Sequence, residues 1–167
     1  MAQPRILIVD KDRASANALA RLLGEHGYEA VGPAASCREA LETVDTLRPD
    51  IAVLELLLTG ACDGLDAAEL LREGHGIPVI LLASGGDPGL TARLKKAPLC
   101  CCLPLPIDSQ ALIVAIESSL ARKRAEEALR QSEVRSRAIF AASPTPLCLV
   151  DGRNLVADVN PAATRLF

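Results

Sequence analysis

The chain has 167 residues, half of them hydrophobic, with a net charge of −3, two Phe, one Tyr and no Trp. That length predicts one domain and a remainder, with an aliphatic core. The acidic balance and scarce aromatics speak against a nucleic-acid surface, which wants a basic patch or stacking platforms. The apolar stretches are strand-sized, far below the ~20 residues that cross a bilayer, and no leader pattern opens the chain, so the reading is a cytoplasmic protein with no nucleic-acid or membrane partner.

Arg5-Ile-Leu-Ile-Val9 is a continuous apolar run of the kind that a strand buried on both faces requires, and it breaks into Asp10-Lys11-Asp12. A helix follows, with Leu19, Leu22 and Leu23 apolar, and Gly24 and Gly27 ending it. Tyr28 to Val31 reads as the second strand, and Ser36 to Leu47 as the second helix, Ser36 and Glu39 having the capping-box spacing. Pro49-Asp50 turns into the third strand, Ile51-Ala-Val-Leu-Glu55, and Asp63-Gly64 leads into a third helix, Leu65 to Glu73. Ile77 to Leu82 is the fourth strand, Gly89 to Lys96 a fourth helix, Cys100 to Leu103 a fifth strand, and Asp108 starts a long fifth helix. This alternation predicts an α/β fold, a doubly wound parallel sheet with right-handed crossovers and polar sites at the carboxyl ends of its strands.

Over residues 4–120 the order of short motifs resembles the two-component response-regulator receiver family. The resemblance rests on Asp10 after the first strand, Glu55 ending the third, the loop Leu58-Thr-Gly-Ala-Cys-Asp63-Gly64, then Ile77-Pro-Val-Ile-Leu-Leu-Ala83-Ser84 and Leu105-Pro106. It implies a flavodoxin-like five-stranded sheet of order 2-1-3-4-5. It also implies transfer of a phosphoryl group to a carboxylate beside a hard divalent cation, and there this chain departs from the family. The acceptor position holds Glu55, one methylene longer than aspartate, in a reaction that tolerates little misplacement. The second acid of the metal pair falls on Lys11, which has no lone pair for a cation. The switch hydroxyl falls on Ala83, with Ser84 one residue late, the switch aromatic on Cys102, and the lysine on Leu105. The losses fall on the reactive positions and spare the scaffold, so the resemblance implies a degenerate receiver with no catalytic residue and no resident cofactor. Asp10, Asp12 and Glu55 remain the candidate ligands if magnesium binds, with Asp10 and Asp12 as a shifted acidic pair.

Six cysteines invite a metal or redox reading. Cys100-Cys101-Cys102 lack the gaps of a zinc site, and alternate strand residues face opposite sides, so buried thiols of a reduced protein explain them better.

From residue 121 to 141 the chain is charge-dense and free of Gly and Pro, with Glu126/Arg130 and Glu133/Arg137 at favourable i,i+4 spacing. A short heptad-like seam, Ala125, Leu129, Ser132, Ser136 and Ile139, runs through this signalling helix. The stretch from Leu129 through Val150, Asp151-Gly152 and Asn160-Pro-Ala-Ala163 resembles the opening of a PAS sensor domain, with Asp151-Gly152 as a hairpin turn and Asn160 capping a helix. The domains expected are therefore a receiver at 1–120, a signalling helix at 121–141 and an α+β PAS start at 142–167.

The resulting expectation is the opening piece of a multidomain signalling protein, resembling receiver–PAS histidine kinases or diguanylate cyclases. It would pair with itself through helix 121–141 and with cognate signalling proteins. Two alternatives stay open, a working phospho-acceptor and an unrelated doubly wound nucleotide-binding or thiol-redox domain. The missing Gly-x-Gly-x-x-Gly and Cys-x-x-Cys weigh against the second.

Overall fold

The protein was analysed as a computed structural model that describes residues 3–58, 60, 62–84 and 101–165. It divides into two compact units, Met1–Arg122 and Lys123–Phe167.

The first unit alternates β1 (Arg5–Val9), α1 (Arg13–Glu25), β2 (Glu29–Ala34), α2 (Cys37–Leu47), β3 (Ile51–Glu55), α3 (Gly64–His75), β4 (Val79–Ser84) and β5 (Cys101–Leu105), followed by α4 (Ser109–Ala142). The strands form one parallel sheet in the order β2-β1-β3-β4-β5. β1, β3 and β4 are central and almost wholly buried, which is why their sequences are unbroken apolar runs. One face packs Leu7, Leu54 and Leu81 against Ala40 and Val44 of α2 and Ala68 and Leu71 of α3. The other packs Ile6, Val53 and Ile80 against Leu19 and Leu23 of α1 and Leu112, Ile116 and Leu120 of α4.

Side chains fix where the helices begin. Asp12 accepts from Ala14 N to cap α1, Ser36 accepts from Glu39 N to cap α2, and Asp63 and Asp66 form a reciprocal capping box on α3.

Several boundaries differ from those the sequence suggests. β2 continues through Gly32-Pro33 to Ala34; it is an edge strand, where a missing N–H costs no ladder bond, and Pro104 sits in the opposite edge strand, β5. Gly24 lies inside α1 instead of ending it. The expected fourth helix, Gly89–Lys96, and Cys100 lie outside the described residues.

The second unit contains the distal half of α4, an antiparallel pair β6 (Cys148–Val150) and β7 (Val156–Val159), and α5 (Pro161–Thr164). The β6–β7 connection is longer than a two-residue turn, and Asp151 closes it by accepting from Arg153 N and Leu155 N. Asn160 does more than cap α5. Fully buried, it accepts from Leu147 N and Ala163 N and donates to the carbonyls of Phe140, Ser143 and Thr145. Among the described residues no helix is long and apolar enough to cross a membrane.

Candidate functional site

Strand register brings the candidate residues together. Val9 pairs with Leu54, so Asp10 and Glu55 follow at the same level on neighbouring strands, and Glu55 pairs with Leu82, the residue before Ala83. The site lies at the carboxyl ends of β1 and β3, where a parallel sheet leaves a polar opening.

Asp10 is buried and accepts from Asp12 N at 2.8 Å, which fixes its carboxylate against the start of the next loop. Lys11 reaches Glu55, with Nζ 3.5 Å from Oε1, while Glu55 Oε2 is buried with no donor. Burial pushes the Glu55 carboxyl above its ordinary value, the neighbouring Asp10 charge raises it further, and the Lys11 ammonium pulls it back. Asp12 turns away from this cluster, its carboxylate committed to Ala14 N.

The other candidates are less convergent. Ala83 is buried in the core against the α2–α3 face, and Ser84, the next residue, is exposed. Because side chains alternate along a strand, the hydroxyl one residue late falls on the opposite face from the one it would need. Leu105 pairs with Ser84 and packs on the α1–α4 face, whereas Cys102 packs on the α2–α3 face.

A hard divalent cation needs several oxygen ligands. The residues present do not fit one: an ammonium faces Glu55, Asp12 is occupied as a helix cap, and no group of three or more His, Cys, Asp or Glu able to hold a metal occurs among the described residues. What the arrangement can do is hold two carboxyls and one ammonium in a neutralised cluster.

Gly64 has a role beyond the sequence reading. A Cβ there would lie 2.2 Å from the Glu55 carbonyl oxygen, and Gly64 N donates to Leu56 O at 2.8 Å. The glycine lets the start of α3 press against the end of β3, which fixes the backbone that carries Glu55. The Asp63-Gly64 motif was the available signal.

Comparison with known proteins gives one family. Residues 6–117, two thirds of the chain, match the response regulator receiver domain. The transcriptional regulatory protein PdtaR of Mycobacterium tuberculosis is 32% identical over 129 residues, 77% of this chain and 62% of that protein. The DNA-binding response regulator MtrA of Mycolicibacterium paratuberculosis is 35% identical over 83 residues, 50% of this chain and 36% of MtrA. The chain thus spans under two thirds of the length of these relatives. Among solved structures, the signal receiver domain of a modulated diguanylate cyclase from Desulfovibrio desulfuricans superposes with a TM-score of 0.70 at 32% identity, covering 75% of this chain and 99% of that one.

Proposed function

The chain belongs to the response regulator receiver family, and from that membership we propose that it is a degenerate receiver, a signalling module that no longer accepts phosphate and acts through protein–protein contact. The observation that carries this reading is the Lys11–Glu55 ion pair at 3.5 Å. An ammonium faces the carboxylate that would otherwise take the phosphoryl group, and it balances charge there as a bound cation would. Ala83 and Leu105 supply no hydroxyl and no second ammonium to hold phosphoryl oxygens, so a carboxyl phosphate at Glu55 would lack the electrostatic support that such transfer depends on.

The PAS-like stretch at 142–167 and the charged helix before it support a multidomain protein in which the receiver is joined to a sensor start, a kinase or cyclase being the output that such an order suggests. The sequence ranges of this reading are 1–120, 121–141 and 142–167. Although MtrA is named as DNA-binding, the match covers 36% of it, and the net charge of −3 favours protein partners for this chain.

Intact mass after incubation with acetyl phosphate and magnesium tests the proposal. No mass gain is expected. A gain of one phosphoryl group that disappears in Glu55→Gln would make the chain a working acceptor with an unusual carboxylate.

A further inference from the structure

Two free thiols from different crossover connections meet at the carboxyl end of the sheet. Cys37 is the first residue of α2, after β2; Cys62 immediately precedes Asp63, the cap of α3, after β3. Cys37 is buried in the apolar cluster on the α2–α3 face, and Cys62, half-buried, packs against that cluster. The side chain of Cys62 is hydrogen-bonded to that of Cys37.

Both connections are anchored beside the acidic pocket. Asp10 N donates to Ala34 O at 2.9 Å, which holds the end of β2 three residues before Cys37. On the other side Gly64, two residues after Cys62, is pressed against Glu55 and Leu56 and donates to Leu56 O. The two sulfurs are therefore held together by the sheet, and neither depends on a free loop to find the other.

We propose that Cys37 and Cys62 form a dithiol modification site that hydrogen peroxide converts to an intramolecular disulfide, tying the connection after β2 to the connection after β3. Peroxide first gives one sulfur a hydroxyl, forming a sulfenic acid and releasing water. The second sulfur then displaces that hydroxyl as a second water, so an S–O bond breaks as the S–S bond forms. Together the thiols lose two electrons and two protons, and peroxide is reduced to two waters. A thiolate is the reactive form, and the Cys62 thiol is pushed up to about 12 by burial, by its hydrogen bond and charge coupling to Cys37, and by Asp66 and Asp63. The pair consequently reacts slowly at neutral pH and answers to sustained oxidant. Closing the link fixes the segments on either side of Asp10 and Glu55, which gives the domain a covalent switch independent of phosphate. The inference needs only the two thiols and stands whether or not Glu55 accepts phosphate.

The test is peroxide treatment of the full chain at millimolar concentration for several hours, alkylation of the remaining thiols, and peptide mapping. A linked Cys37–Cys62 peptide is expected, with the other four cysteines alkylated, reversal by dithiothreitol, formation that accelerates as pH rises, and a higher melting temperature in the oxidised form. Cys62→Ala is expected to lose the linked peptide and the rise in melting temperature together. Linkage through other cysteines, a sulfinic acid on Cys62 beside an alkylatable Cys37, or no reaction at either thiol would overturn the proposal. The mapping on the unmodified chain decides the matter even if the variant folds poorly.

Discussion

Lys11 Nζ stands 3.5 Å from Glu55 Oε1, and the lysine side chain is 40% exposed against 18% for the glutamate it faces. The carboxylate is thus the member that burial penalises, and the ammonium is what makes its charge tolerable beside Asp10. Removing the lysine leaves two carboxyls facing each other in a partly desolvated site. Lys11→Ala is expected to destabilise the chain by about 1 kcal/mol, between the values usual for exposed and buried pairs. Millimolar magnesium should raise the melting temperature of the unmodified chain very little, because the ammonium already stands where a cation would. Thermal melts of both proteins with and without magnesium check this, and a large magnesium-dependent rise in the unmodified chain would contradict it.

The same cluster sets a pH dependence with a definite sign. The folded Glu55 carboxyl titrates above its ordinary value of 4.5, so over the window from 4.5 up to that raised value the folded state binds more protons than the unfolded chain. Stability therefore falls as pH rises through the window, and below it the penalty vanishes because both states are protonated. Glu55→Gln removes the titrating group and should flatten that part of the profile. Urea unfolding at a series of pH values measures it, and an unchanged slope in the variant would assign the dependence to other groups.

Gly64→Ala tests how closely α3 is seated on β3. Its Cβ would meet backbone, the Glu55 carbonyl oxygen at 2.2 Å and Leu56 Cα at 2.8 Å, and backbone cannot swing aside as a flexible side chain can. A loss of about 1–3 kcal/mol is expected, the usual range for overpacking, read as a drop in the urea midpoint. A neutral result would mean that the start of α3 can shift outward without strain.

Much of the fold was legible because its signals are local. β1 follows residue by residue from an unbroken apolar run, and α2 from Ser36 with Glu39 three residues on. The errors came where tertiary placement overrides a local breaker. Gly32-Pro33 reads as the end of a strand, yet an edge position absorbs it, and Gly24 reads as a helix stop inside a helix held by packing at Leu19 and Leu23. The nearness of Asp10, Lys11 and Glu55 was legible once the strands were ordered, since parallel register puts successive strand ends side by side. The Cys37–Cys62 pairing was not, because it depends on two different connections converging and neither cysteine sits in a motif. Nor was the reach of Asn160, whose capping role is local but whose donations to Phe140, Ser143 and Thr145 depend on how the chain returns.

Restoring one atom pattern should not restore the family's reaction. Glu55→Asp shortens the carboxylate but leaves Lys11 against it, Ala83 without a hydroxyl, and Leu105 without an ammonium. No mass gain with acetyl phosphate and magnesium is expected from this single change. Phosphorylation of that variant would place the whole defect in one methylene and leave the other departures without consequence.

The last prediction concerns the helix that leaves the sheet. α4 covers Ser109–Ala142, about 50 Å at 1.5 Å per residue. Its buried residues are Leu112, Ile116 and Leu120, and farther along Leu129, Val134 and Ile139 are exposed. Helices of this kind derive most of their stability from packing an apolar face. Leu129 and Ile139 belong to the seam with Ala125, Ser132 and Ser136, spaced as in a two-stranded coil, and the neighbouring i,i+4 pairs keep that face soluble. Light scattering at micromolar concentration is expected to give a dimer for the full chain and a monomer for a chain ending at Arg122, the boundary of the first compact unit. Leu129→Glu, which puts a charge on the seam without touching the receiver, should give the monomer as well. A dimer that persists in the shortened chain would move the interface onto the receiver itself, and a monomer throughout would leave the helix as a spacer.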